Sequence, residues 1–105
     1  MSSLVELNLH SAKVRDVSAF STLTNLEKLY LSKTEVGDVS ALSALANLEE
    51  LDLSWTKISD VSALYALTNL KKINIRFTNV GPRQVSDLRG TLPKLEVSAP
   101  GFWST

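Results

Sequence analysis

Few side chains in this chain could support chemistry. His10 is the single histidine and there is no cysteine, which excludes thiolate nucleophiles, disulfides and cysteine-based metal sites. A general base needs a nucleophile and an orienting partner within reach. No serine stands in a recognisable arrangement with His10, so it reads as a solvated surface residue and no catalytic residue is assigned. Asp16, Asp38 and Asp60 recur at equal intervals and are the one carboxylate row that suggests a cation. Each opens the same Asp-Val-Ser-Ala segment, where a carboxylate is placed to accept from backbone N–H groups at the start of a turn. Their oxygens are expected to serve locally, and no metal is assigned. The four glycines make no phosphate-cradling loop, and no cofactor is implied.

The aromatic and basic residues hold more. Trp55 and Phe77 stand 22 residues apart, Lys33 occupies the same place one interval earlier, and Arg76 precedes Phe77. Tyr30, Asp52 and Asn74 form a second series with the same interval. Trp, Tyr and Arg dominate the energetics of protein interfaces, and large rings left in water without a role are uncommon. Tyr30, Lys33, Asp52, Trp55, Asn74, Arg76 and Phe77 are therefore the candidate partner-binding set. The alternative has Trp55 and Phe77 fold down over the bend that follows each strand. Two further rows, Glu6-Lys28-Glu50-Lys72 and Lys13-Glu35-Lys57, alternate in sign and are assigned to strand register and solubility.

The interval that relates these residues also governs the elements that carry them. Leu4, Leu26, Leu48, Leu70 and Leu92 are spaced by 22, and each opens a frame L-x-x-L-x-L, as in Leu48-Leu51-Leu53 with Glu50 and Asp52 between. Alternation of period two is the mark of a half-buried strand. Ile58, Val61, Leu64 and Leu67 follow at intervals of three, which fits short 3₁₀ turns supplying the opposite core wall. Asn25, Asn47 and Asn69 close successive units, and Thr34, Thr56 and Thr78 stand at the bend after each strand. In 70–91 the turn segment becomes Pro82-Arg83-Gln84-Val85-Ser86-Asp87-Leu88-Arg89-Gly90, with the proline start and glycine stop of a true α-helical turn.

A fixed period in this range with this frame marks a leucine-rich repeat solenoid. The frame resembles the 22-residue repeats of internalin-type leucine-rich repeat proteins over about four units, nearly the whole chain, with Thr standing where that family most often carries Asn after the strand. The expected fold is α/β. It is a right-handed leucine-rich repeat solenoid, with a parallel sheet of about five short strands on the inner face and 3₁₀ or short helical turns on the outer. The expected organisation is one domain, 1–105, with repeats 4–25, 26–47, 48–69 and 70–91, a partial repeat 92–97 framed by Leu92-Leu95-Val97, and a C-terminal cap 98–105 using Phe102 and Trp103. The resemblance implies a non-enzymatic interaction scaffold with a protein partner.

With 105 residues the chain has room for a single core. No run of 18 apolar residues is present, so no membrane partner is expected. Residues 1–9 lack the pattern of a signal peptide, which favours the cytoplasm. The net charge is zero, but residues 1–69 carry −4 and residues 70–105 carry +4. The acidic first part argues against nucleic acid as a partner. Because little precedes Leu4, the first strand is expected to be bare. It would then belong to a longer array or self-associate through its open edge.

Overall fold

The computed structural model describes residues 4–99. Five three-residue strands, β1 (Glu6–Asn8), β2 (Lys28–Tyr30), β3 (Glu50–Asp52), β4 (Lys72–Asn74) and β5 (Glu96–Ser98), form one parallel sheet in chain order. Pairing runs Leu7↔Leu29↔Leu51↔Ile73, a step of 22 residues each time. The register follows from burial: Leu29, Leu51 and Ile73 point into the core, while their strand neighbours remain accessible. A one-residue slip would turn every leucine into water.

Between strands the chain crosses the outer side in 3₁₀ turns, Ser18–Thr22, Ser40–Ala44 and Ser62–Ala66. Five residues suffice to drive Leu42 and Leu64 inward, both fully buried, behind Val39 and Val61. The leucines, isoleucines and valines of the two walls make one continuous core from Val17 to Ala99. At about 1.5–3 kcal/mol for each large side chain removed from water, that core is the principal source of stability.

Side-chain columns seal the turns. Asp16, Asp38 and Asp60 accept from the backbone N–H groups of Ser18, Ser40 and Ser62 at 2.8, 2.9 and 2.9 Å. The caps therefore come from the aspartates one residue ahead of the formal N-cap valines. These hydrogen bonds from the serines hold all three carboxyls below the usual carboxylate range. Thr34, Thr56 and Thr78 each donate from Oγ1 to the carbonyl three residues back, at 2.7 Å. Asn47 and Asn69 donate from Nδ2 to the Thr24 and Ala46 carbonyls of the preceding repeat, at 3.0 and 2.9 Å, so the amides, unlike the hydroxyls, tie repeats together.

The fourth crossing is different. Gly81 leads into an α-helix, α1 (Pro82–Thr91), which buries Val85 and Leu88. Gln84 docks this helix on the previous repeat: its Oε1 accepts from the Val61 N–H at 2.6 Å and its Nε2 donates to Asp60 Oδ1 at 3.3 Å. The longer element lengthens the step. Ile73 pairs with Val97 and Asn74 with Ser98, an interval of 24, so the Leu92-Leu95-Val97 frame expected from spacing is out of register by two. Val97 takes the strand column, Ala99 is buried beyond it, and Leu92 and Leu95 are buried ahead of the strand. The expected cap residues Phe102 and Trp103 lie outside the described residues.

At the other end, Leu4 and Val5 are 38% and 44% exposed. Leu7, Leu9, Phe20 and Leu23 are only partly buried, whereas Leu29, Leu31, Leu42 and Leu45 in the same columns are fully covered. Among the described residues, no helix is long and apolar enough to cross a membrane.

Candidate functional site: the outward sheet face and its loop ledge

Parallel pairing places equivalent outward residues side by side. One row is Glu6-Lys28-Glu50-Lys72-Glu96, the next Asn8-Tyr30-Asp52-Asn74-Ser98. The first row extends the alternating series by Glu96, although only Lys28 and Glu50 come within ion-pair distance, at 3.8 Å. Glu35, expected to balance Lys13 and Lys57, instead accepts from Arg15 Nε at 2.6 Å. Both pairs are surface interactions worth at most about 1 kcal/mol.

In the second row, Asn8 and Asn74 accept from the N–H of the residue two further on, His10 at 3.0 Å and Arg76 at 3.1 Å. Asp52 Oδ1 accepts from both the N–H and the Oγ of Ser54, at 3.0 and 2.7 Å. Asp52 and Asn74 thus brace the end of their own strand while facing outward. Tyr30 breaks this pattern and donates its hydroxyl to Glu50 Oε1 at 3.2 Å. Burial, the bond to Glu50 and the charges of Glu50, Glu6 and Asp52 together push the Tyr30 phenol above its ordinary value. Tyr30, Glu50, Asp52, Lys72, Asn74 and Glu96 surround a shallow depression of about 170 Å³.

Past the strand ends the chain makes a left-handed turn in every repeat. Ser11, Lys33, Trp55 and Phe77 have φ of 63°, 57°, 59° and 59°, a region where Cβ crowds the backbone and Gly or Asn is the easier occupant. Ladder bonds hold the column in place: the N–H of Ser11, Lys33 and Trp55 donates to the carbonyl of Ser32, Ser54 and Arg76 at 2.9, 3.0 and 3.0 Å. The column projects its side chains away from the core. Trp55 and Phe77 stack with centroids 4.1 Å apart and planes 17° from parallel. Lys33 Nζ lies 5.8 Å over the indole, within cation–π range. The rings remain 53% and 60% exposed.

The expected set therefore falls in two adjoining parts. Tyr30, Asp52 and Asn74 line the depression; Lys33, Trp55 and Phe77 form a ledge along its edge. Arg76, exposed, joins them through its backbone bonds to Asn74 and Trp55. Spacing missed Glu50 and Lys72 as walls of the depression, because their alternating signs account for them as a register device, and missed Glu96 because β5 is shifted by two residues. It also missed a contact between His10 Nδ1 and Ser32 Oγ. His10 is on the surface, as expected, and is partnered there by a serine 22 residues away, a pairing that spacing did not give. Among the described residues no carboxylate bonds the imidazole, and no cluster of three or more His, Asp or Glu is placed to hold a metal ion.

Comparisons with known proteins agree with this geometry. A family model described as "Leucine Rich repeat" matches residues 44–65, the span that contains β3 and its turn. No curated protein gives a match. Among solved structures, internalin C2 of Listeria monocytogenes superposes with a TM-score of 0.83 at 31% identity, covering 93% of this chain and 42% of that one. Internalin F of the same organism gives 0.83 at 22%, covering 95% and 28%. TLR13, solved in a complex with ssRNA13, gives 0.76 at 28%, covering 93% and 15%. The chain thus spans between 15% and 42% of the length of these three structures. The parallel five-strand sheet, the 3₁₀ crossings and these likenesses identify the chain as a leucine-rich repeat solenoid with internalin-like repeats.

Proposed function

We propose that this chain is a non-enzymatic protein-binding module that grips its partner through the outward sheet face and the loop ledge beside it. Leucine-rich repeat proteins generally mediate protein–protein interaction. The observation that carries the reading for this chain is the stacked, half-exposed Trp55–Phe77 pair. Two large rings sit at backbone positions that disfavour them and bury little against their own core. Tyr30, Asp52, Asn74 and Arg76 extend the same surface with hydrogen-bonding groups, and Lys33 completes its rim. A well-packed aromatic anchor flanked by polar groups is the composition of interface hot spots.

The test is a selection of binders from a displayed protein library against the wild-type chain, followed by affinity measurements on Trp55→Ala/Phe77→Ala. The reading expects most independent binders to lose tenfold or more in affinity, the scale of one hot-spot residue, while the variant keeps its melting temperature within a few degrees. Binders indifferent to both rings would contradict it.

A second reading, a structural segment of a longer array or one that self-associates, is favoured by the open face around Leu4, Val5, Leu7 and Phe20. Light scattering across a concentration series at two salt concentrations separates the two. A monomer throughout argues against self-association, and a mass that falls with added salt supports assembly driven by the charge asymmetry.

A further inference from the structure

We infer that the loop ledge is built to take an acidic segment bearing an aromatic side chain, presented by a protein partner. This rests on the protein-binding reading above and deepens it by naming the partner's chemistry. The first argument is the rings. Trp55 stacks on Phe77 and has the Lys33 ammonium 5.8 Å from its ring centroid, so part of its ring surface is engaged within the chain. Phe77, 60% exposed, ends that stack with open ring surface. Aromatic pairs gain from offset-stacked or edge-to-face contact with a further ring, and the indole N–H of Trp55 makes no hydrogen bond among the described residues, leaving a donor beside the stack.

The second argument is charge. Lys33, Lys57 and Arg76 are exposed, lie at or within two positions of the rings, and form no ion pair among the described residues. Glu35 is already paired with Arg15 at 2.6 Å, and Asp52, still charged, turns its Oδ1 to Ser54 at 2.7 and 3.0 Å and makes no ion pair with them. The ledge therefore presents three cations without an ion pair among the described residues around an apolar ring. A carboxylate reaching Arg76 gains a charge-assisted contact. A nucleic-acid strand fits less well, because Glu50, Asp52 and Glu96 line the adjoining depression, and a continuous phosphate backbone crossing the sheet would meet them.

The experiment is a titration of the uniformly ¹⁵N-labelled chain, read at the Trp55 indole N–H, which is assigned by its loss in Trp55→Phe. The probes are Ac-Glu-Glu-Tyr-Glu-Glu-NH₂, the same peptide with leucine for tyrosine, the same peptide with lysine for each glutamate, and a ten-residue oligouridylate. The acidic tyrosine peptide is expected to shift the indole signal saturably and to weaken as salt rises. The ringless and charge-reversed peptides, and the Arg76→Glu and Phe77→Ala variants with the original peptide, are expected to bind at least about tenfold more weakly. Backbone dispersion of each variant checks its fold, and Arg76→Lys should retain most of the binding. Equal response to the lysine peptide, tighter binding of oligouridylate, or an unmoved indole overturns the inference. If a peptide shifts Tyr30, Asp52 and Asn74 but leaves the indole in place, the ledge assignment fails while the sheet-face reading stands.

Discussion

Thr34, Thr56 and Thr78 each use one hydroxyl to give a carbonyl at the strand end a donor at 2.7 Å. Thr56→Val keeps the shape and removes the donor, and should cost about 1 kcal/mol in urea unfolding, the net worth of a buried neutral hydrogen bond. The aspartate column answers to pH. Because the folded state lowers these carboxyl pKa values, the caps stabilise the fold at neutral pH, and that contribution disappears as pH falls through the depressed values. A urea-midpoint profile should therefore drop on acidification, and Asp16→Asn/Asp38→Asn/Asp60→Asn should flatten it. Tyr30 has the opposite sense: raised in the fold, its contribution is fully present below about pH 10 and is lost as pH rises through the raised value. Ultraviolet titration should place both phenols, Tyr30 and Tyr65, above the ordinary range, and Glu50→Gln should bring down that of Tyr30 alone. Residue types and interval made the cap and hydroxyl columns legible. They concealed the left-handed turn at Lys33, Trp55 and Phe77, since no Gly or Asn marks it. They concealed the His10–Ser32 contact as well, because it exists only when repeats are stacked.

The strands and 3₁₀ turns were readable because each obeys its own hydrophobic period, two for the strands and three for the turns. Pro82 announced an α-helix in the fourth crossing, but Gly90, expected as its stop, lies inside it and the helix runs on to Thr91. A ten-residue helix needs more chain than a five-residue turn, so β5 arrives two residues late and Val97 stands where Leu95 was expected. The helix is positioned by Gln84, whose side chain holds the Val61 N–H and Asp60, and a single glutamine on an exposed helical turn gives no advance signal. Gln84→Ala should cost about 1 kcal/mol in urea unfolding by leaving the Val61 N–H without its acceptor. Hydrogen exchange at that amide should quicken, with β1 and β2 unchanged. Equal exchange throughout would mean that α1 is held by Val85 and Leu88 alone.

Across the whole molecule, stacking converts a linear interval into two surfaces, one buried and one exposed. Inward columns make one core; outward columns place Tyr30, Asp52 and Asn74 in a depression and Lys33, Trp55 and Phe77 on a ledge. Both assignments were available from spacing, because a rigid repeat turns sequence offset into position. The stacking of the two rings, the negative field at Tyr30 and the open positive charge beside the ledge were not, since they depend on distances between neighbouring turns. The urea unfolding free energy of Trp55→Ala/Phe77→Ala, measured beside Leu53→Ala, tests that division most directly. Leu53 is fully buried, and its truncation should cost about 2–5 kcal/mol. Removal of the exposed pair should cost no more than about 1.5 kcal/mol, the scale of one ring–ring contact. A loss from the ring pair as large as that from Leu53 would make the ledge part of the scaffold and contradict its role as a partner surface.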